Sequence, residues 1–239
     1  MPQKRRLAYG DHPSQYVDIL EPAAPALGLL LVIHGGFWRE GLGAELTAPI
    51  AEDLCAEGFV VANIEYRRVG GGGGWPQTFD DVTAAAEVAR RANPDLTQSL
   101  VVGHSAGGHL ALLALAAGSA DFAVALAPVS DIDRALQENL GDGAAAEFLG
   151  AVGISPNEVA SASPVRKLGH RRHHVLLHGV RDINIPVEHS QHYVSAARAL
   201  ETPADYFEFS ELDHFDLIDP SSSAWYAAKQ WIWYQLKAR

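Results

Sequence analysis

Leu100-Val101-Val102-Gly103-His104-Ser105-Ala106-Gly107-Gly108 is the stretch that decides the fold. Three apolar residues of strand type run into Gly-x-Ser-x-Gly, and His109-Leu110-Ala111-Leu112-Leu113-Ala114-Leu115 continues as an apolar helical segment. A strand, a sharp turn and a helix in that order lift a serine hydroxyl above the end of a sheet. The turn forces two backbones together, so the positions two before and two after Ser105 must be small, as Gly103 and Gly107 are. A serine hydroxyl is a poor nucleophile until a base takes its proton. The N–H of Ala106, at the helix start, is free to hold a developing oxyanion, and the helix dipole favours that charge.

Seventy residues upstream, Leu29-Leu30-Leu31-Val32-Ile33 leads into His34-Gly35-Gly36-Phe37-Trp38. Glycines after a strand let main-chain N–H groups face a site with no Cβ in the way. This is the expected place for the rest of an oxyanion hole, supplied by Gly36 together with Gly35. His34, Phe37 and Trp38 are read as substrate-facing, with Trp38 as a wall of the site and a core position as its alternative.

Around these two motifs, short apolar runs alternate with longer amphipathic ones. Strands are expected at 16–20, 27–33, 59–64, 99–102, 122–127, 174–178 and 204–209, and helices near 44–57, 77–92, 106–117, 187–200 and 223–237. Several of the strands are apolar throughout, as strands covered on both faces are. The alternation predicts an α/β fold, a mostly parallel sheet flanked by helices. A single domain over 1–239 is expected, with an insertion at about 128–173 containing helical pieces near 131–139, 143–149 and 156–161. Such an insertion reads as a small helical cap over the sheet's C-terminal edge, where open α/β sheets place their sites. The five glycines from Gly70 to Gly74 read as a mobile surface loop or a flexible flap.

A base and an orienting acid should follow the serine, the acid first. His214, in the polar loop Glu211-Leu212-Asp213-His214-Phe215-Asp216 before the last helix, is the candidate base. Asp182, just past the strand 174–178, is the candidate acid, to fix the base's tautomer and stabilise its imidazolium. Asp131 and Asp133 are the alternative acids, but in Ser130-Asp131-Ile132-Asp133 they read as helix caps. Asp213 reads as a loop residue and His178 as a packed structural one. The run His170-Arg171-Arg172-His173-His174 has no carboxylate or cysteine at metal-ligand spacing, so no metal site is expected.

The net charge of −11 argues against nucleic acid and against an anionic membrane surface. The longest apolar run, 26–33, is far shorter than the roughly 20 residues a membrane span needs. A single cysteine, Cys55, excludes an internal disulfide. The basic start, Met1-Pro2-Gln3-Lys4-Arg5-Arg6, lacks the apolar core of an export signal. A cytoplasmic protein acting on a small-molecule substrate is the simplest expectation. Trp225, Trp231, Trp233 and Tyr234 lie on more than one face of the last helix, which suits either docking on the body or a homodimer interface.

These motifs resemble those of the α/β-hydrolase superfamily, and within it the kynurenine formamidase (arylformamidase) group and its small esterase relatives. His34-Gly35-Gly36-Phe37-Trp38 is similar to that group's His-Gly-Gly-x-Trp signature, and Gly103 to Leu110 to its elbow. Glu65-Tyr66-Arg67, and Pro76 ahead of Asp80-Asp81, resemble shared scaffold positions. Asp182 with Pro186, and His214-Phe215, resemble the acid and base segments. The resemblance spans roughly residues 16 to 237 and implies the α/β-hydrolase fold, with the cap between strands 6 and 7 of that fold. It also implies hydrolysis of N-formyl-L-kynurenine to kynurenine and formate through a Ser105–His214–Asp182 triad and an acyl-enzyme, with no metal or organic cofactor. A carboxylesterase for short acyl esters is the alternative the same residues serve. Phe37 and Trp38 suit an aryl substrate, and Arg39, Arg67 and Arg68 are candidates to meet a substrate carboxylate.

Overall fold

The computed structural model describes residues 3–150 and 153–237; Met1, Pro2, residues 151–152 of the insertion and residues 238–239 lie outside that range. Eight strands form one sheet in the order β1-β2-β4-β3-β5-β6-β7-β8. They are β1 (Gln3–Ala8), β2 (Tyr16–Glu21), β3 (Leu29–Ile33), β4 (Val60–Ile64), β5 (Ser99–His104), β6 (Phe122–Leu126), β7 (His174–Gly179) and β8 (Ala204–Phe209). β1 and β2 run antiparallel at one edge, and every pairing from β4 to β8 is parallel.

β1 is the strand that the periodicity does not predict. Its sequence, Gln-Lys-Arg-Arg-Leu-Ala, has no apolar alternation, and it is held by charge. Arg6 forks onto Asp18 at 2.7 and 2.9 Å, Lys4 reaches the same carboxylate, and Arg5 meets Glu21. A Lys/Arg-rich edge strand also discourages pairing with another chain.

The apolar strands at the centre are explained by two covered faces. In β3, Leu29, Leu31 and Ile33 join one apolar cluster while Leu30 and Val32 join another. The first cluster includes residues of α2 (Gln77–Ala92) and α3 (Ala106–Ala117); the second includes α1 (Ala48–Ala56) and α8 (Ser223–Lys237). α7 (Glu188–Ala199) packs on β7 and β8. On α8, Trp225, Ala228 and Ile232 are buried, and three indole N–H groups find carboxylates: Trp225 on Asp53 and Trp231 on Asp205, both at 2.7 Å, and Trp233 on Glu57 at 3.4 Å.

Between β6 and β7 lie α4 (Ile132–Gln137), α5 (Leu140–Phe148) and α6 (Pro156–Ala162). These helices are integrated into the body rather than perched on it. Ala144, Ala145, Phe148 and Ala162 are buried in the same cluster as β3 and α3. Asp131 caps α4, accepting the N–H groups of Asp133 and Arg134, and Ser155 forms a capping box with Glu158 on α6.

The glycine run, expected as a mobile loop or a flexible flap, is hydrogen-bonded into a tight turn. Gly71 and Gly73 donate to the carbonyl of Arg68, Gly74 donates to Thr78 Oγ1, and Trp75 N–H donates to the carbonyl of Phe148. A Cβ at Gly73 would stand 2.1 Å from the carbonyl oxygen of Arg67. Glycine is required there because the chain doubles back on itself, so the residue type that suggested mobility serves a tight turn.

Candidate active site

Parallel pairing brings the site together. Residues opposite one another at the strand ends are Ile33 with Gly103, His104 with Leu126, Leu126 with Leu177, and Gly179 with Phe209. The C-terminal ends of β3, β5, β7 and β8 are therefore level, and the loops carrying Gly35, Ser105, Asp182 and His214 leave from that one edge.

Ser105 sits between β5 and α3 with φ 59° and ψ −120°. A left-handed φ in a residue with a side chain costs on the order of 1–3 kcal/mol and persists only where surrounding structure imposes it. The surroundings here are tight. A Cβ at Gly103 would meet the carbonyl oxygen of Gly107 at 2.1 Å, and one at Gly107 would meet that of Ile33 at 2.2 Å. No side chain caps α3, so its first N–H groups, Ala106 included, remain available at the serine.

The His34–Trp38 loop reaches the serine through Gly35, where a Cβ would lie 2.9 Å from Ser105 Cβ. Gly36, Phe37 and Trp38 all have positive φ, at 113°, 52° and 58°, and the turn closes with Arg39 N–H donating to the Gly36 carbonyl. Phe37 and Trp38, two successive non-glycine residues with left-handed φ beside a strained serine, are a second store of strain at the same place.

Beneath this loop, Glu65 acts as a brace. Its carboxylate accepts from Ala44 N–H at 2.9 Å, Tyr66 N–H at 3.0 Å, His34 Nε2 at 3.2 Å and the Arg68 guanidinium. Burial works against the Glu65 charge, but His34, Ala44 and Arg68 outweigh it and hold the carboxyl below its ordinary range. The Tyr66 ring stacks on His34 at 4.2 Å, and its hydroxyl donates to the His34 carbonyl.

His34 and Trp38 are thus placed differently from the sequence expectation. His34 is fully buried with both ring nitrogens engaged, Nδ1 on the Gly35 carbonyl and Nε2 on Glu65. It shapes the loop and does not face a substrate. Trp38 is 1% exposed, stacked on Phe148 at 4.6 Å and edge-on to His109 at 5.1 Å. The positive φ at Trp38 turns its side chain into the core rather than into the mouth of the site. Phe37 stays half-buried, against Gly141 of α5.

His214 Nδ1 donates to Asp182 Oδ2 at 2.6 Å. That contact uses one ring nitrogen and leaves Nε2 as the one able to exchange a proton. The loop carrying His214 is pinned to β5 by His104, whose Nε2–H donates to the His214 carbonyl at 2.9 Å. Burial and the neighbouring His214 push His104 down to about 3, so it stays neutral as a donor. Asp213 Oδ1 accepts the N–H groups of Phe215 and Asp216, folding the turn that presents His214. The Asp182 carboxyl lies well below the ordinary aspartate range: burial opposes its charge, and hydrogen bonds from His178, His214 and Ile185 N–H prevail.

His178 is the site neighbour that sequence reasoning leaves as a packed residue. Its signal is its position four residues before Asp182, next to the last residue of β7. The three arginines considered for a substrate carboxylate are all engaged: Arg39 with Glu147, Arg67 with Asp81, Arg68 with Glu65 and Glu40. Among the described residues no group of three histidine, cysteine or acidic side chains stands at metal-binding distance, and no helix is long and apolar enough to cross a membrane.

A mostly parallel eight-stranded sheet with flanking helices, and a serine on a strained turn at its C-terminal edge, define the α/β-hydrolase fold. Solved structures share it at low identity. A truncated carbohydrate esterase from gut microbiota superposes with a TM-score of 0.84 and 19% identity, over 99% of this chain and 96% of that one. Esterase B from Lactobacillus Rhamnosis gives 0.83 and 18%, over 100% and 85%. In sequence, residues 17–196 match the family described as BD-FAE, and the chain belongs to that family of α/β-hydrolase esterases. Esterase LipC of Mycobacterium tuberculosis is 31% identical over 249 residues, covering 90% of this chain. The chain spans 60% of the length of that curated relative.

Proposed function

We propose that the protein is a serine carboxylesterase acting on short-chain acyl esters. The observation that carries this reading is Ser105 held at φ 59° at an uncapped helix start beside Gly35, with the His214–Asp182 pair on the same sheet edge. Ser105 Oγ attacks the acyl carbonyl as His214 Nε2 takes its proton. The oxyanion is held by main-chain N–H groups of Ala106, Gly36 and Gly35, each such donor supplying about 3–4 kcal/mol in comparable sites. The C–O bond to the alcohol breaks, and the alcohol leaves with the proton from His214. A water then repeats the sequence on the acyl-enzyme, releasing the acid. Asp182 fixes the His214 tautomer throughout.

The ester reading is supported over an arylformamide by three features. The named relatives are esterases, Trp38 packs in the core, and the three arginines offered for a substrate carboxylate are already paired. The test sets a p-nitrophenyl acetate-to-octanoate series against N-formyl-L-kynurenine. Turnover is expected to be greatest for the shortest esters, and Ser105→Ala should abolish both that turnover and labelling by a fluorophosphonate. Turnover of the formamide alone would replace this reading with the arylformamidase one, and undiminished activity in Ser105→Ala would remove both.

A further inference from the structure

Resting on the triad reading above, we propose that His178 is a positioning residue for the reaction. It fixes the carboxylate oxygen of Asp182 that His214 uses, and Ser190 in turn fixes His178. His178 lies in β7 and Ser190 in α7, and both are fully buried. The polarity follows from the partners. His178 Nε2 lies 3.0 Å from the Ile185 carbonyl and 3.3 Å from Asp182 Oδ2. Both are acceptors, so Nε2 carries the proton; it is hydrogen-bonded to the Ile185 carbonyl and lies within ion-pair reach of Asp182 Oδ2. Nδ1 is closed off by Ser190 Oγ at 2.7 Å.

The consequence for Asp182 is a full set of partners. A carboxylate has about four acceptor directions. Oδ1 takes the N–H groups of Asn184 at 2.8 Å and Ile185 at 2.9 Å, and Oδ2 takes His214 Nδ1–H and has His178 Nε2 beside it at 3.3 Å. A carboxylate held at both oxygens cannot rotate away from the base. Without His178, the side chain is tied only to its own loop, through Asn184 and Ile185, and to His214. His178 is also the only one of the four donors that comes from the sheet. It therefore references the acid to the strand that neighbours β6 and, through it, the elbow strand β5.

The pH profile separates positioning from mere packing. Apart from Asp182 and His178, the titratable groups near His214 are His104 on β5, and Asp213 and Asp216 on its own loop; Arg181 beside Asp182 is paired with Glu211. His104, pushed down to about 3, does not change charge where activity is measured. In His178→Leu the Oδ2 charge loses one donor and acts more fully on the base. The acid limb of kcat/KM should move up by about one pH unit, with kcat about tenfold lower. In His178→Gln the amide N–H stands near the place of Nε2–H, and both the limb and kcat should return toward wild type. A purely structural role predicts lower thermal stability in both variants and an unmoved limb.

An unmoved limb in His178→Leu, or the same shift in His178→Gln, overturns the proposal. If His178→Leu does not fold, Ser190→Ala decides. Losing only a hydroxyl that steadies His178, it should move the limb in the same direction by less, and an unmoved limb there overturns the proposal equally. Ser105→Ala is run beside them. Residual turnover in that variant would undo the triad reading, whereas a dead Ser105→Ala with an unmoved limb in the His178 variants undoes only the role of His178.

Discussion

At Ser105 the chain holds a conformation that serine avoids, and its neighbours make it do so. Gly103 and Gly107 cannot carry a Cβ, because carbonyl oxygens of Gly107 and Ile33 stand 2.1 and 2.2 Å from where it would be. The motif is thus a packing requirement as much as a chemical one, which is why it was legible. Asp182 stands just past β7, the place its sequence position suggested, whereas its partners could not be read from the sequence. Asp182→Asn should leave the fold and substrate binding in place, since the carboxamide is isosteric. It should lower kcat about 10³–10⁴-fold through a wrong His214 tautomer, read in steady-state kinetics beside a thermal melt. A loss below tenfold would take the acid role from Asp182. Trp38 marks the limit of reading by proximity. One residue beyond an oxyanion loop looks like a site wall, yet a positive φ sends its indole against Phe148.

At the scale of elements, the insertion between β6 and β7 is the informative piece. Its length announced a function, and its packing shows an element built into the body by Phe148. Phe148→Ala should cost about 3–5 kcal/mol in denaturant unfolding, as buried Phe→Ala changes do. Arg39 ties the same segment to the oxyanion loop from outside, through Glu147 and the carbonyls of Gly141 and Asp142. That pair is exposed, so Arg39→Ala should change unfolding stability little. It should nevertheless speed amide exchange in residues 140–148, measured by hydrogen–deuterium exchange; unchanged exchange there would show that Phe148 alone holds the segment. β1 was illegible for the converse reason. Its register comes from carboxylates on β2, and pairing between separate segments leaves no period in either one.

For the whole molecule, buried titratable groups set the dependence of stability on pH. Burial pushes His104 down to about 3, and His109 and His174 to about 4, all below the unfolded histidine value of 6.5. The unfolded chain therefore binds more protons as pH falls, and stability declines from about pH 6.5 downward. Asp182 and Glu65, held below their ordinary values, add their loss only below about pH 4. Denaturation midpoints should fall in two stages between pH 8 and 3, the first already under way at pH 5.5. A midpoint flat from pH 8 to 5 would show that the buried histidines find protonated alternatives in the folded state.

Sequence by itself determined the alternation of strands and helices, the serine turn, and the order of Ser105, Asp182 and His214 along the chain. Those features are local: apolar period, close backbone approach and chain order can each be read within a few residues. The tertiary structure alone decided which side chains at the C-terminal edge face one another. It turned His34 and Trp38 inward, occupied the three arginines, and set His178 against Asp182. Such choices depend on strand register and on backbone angles at single residues, and a one-residue shift in either points a side chain to the other face.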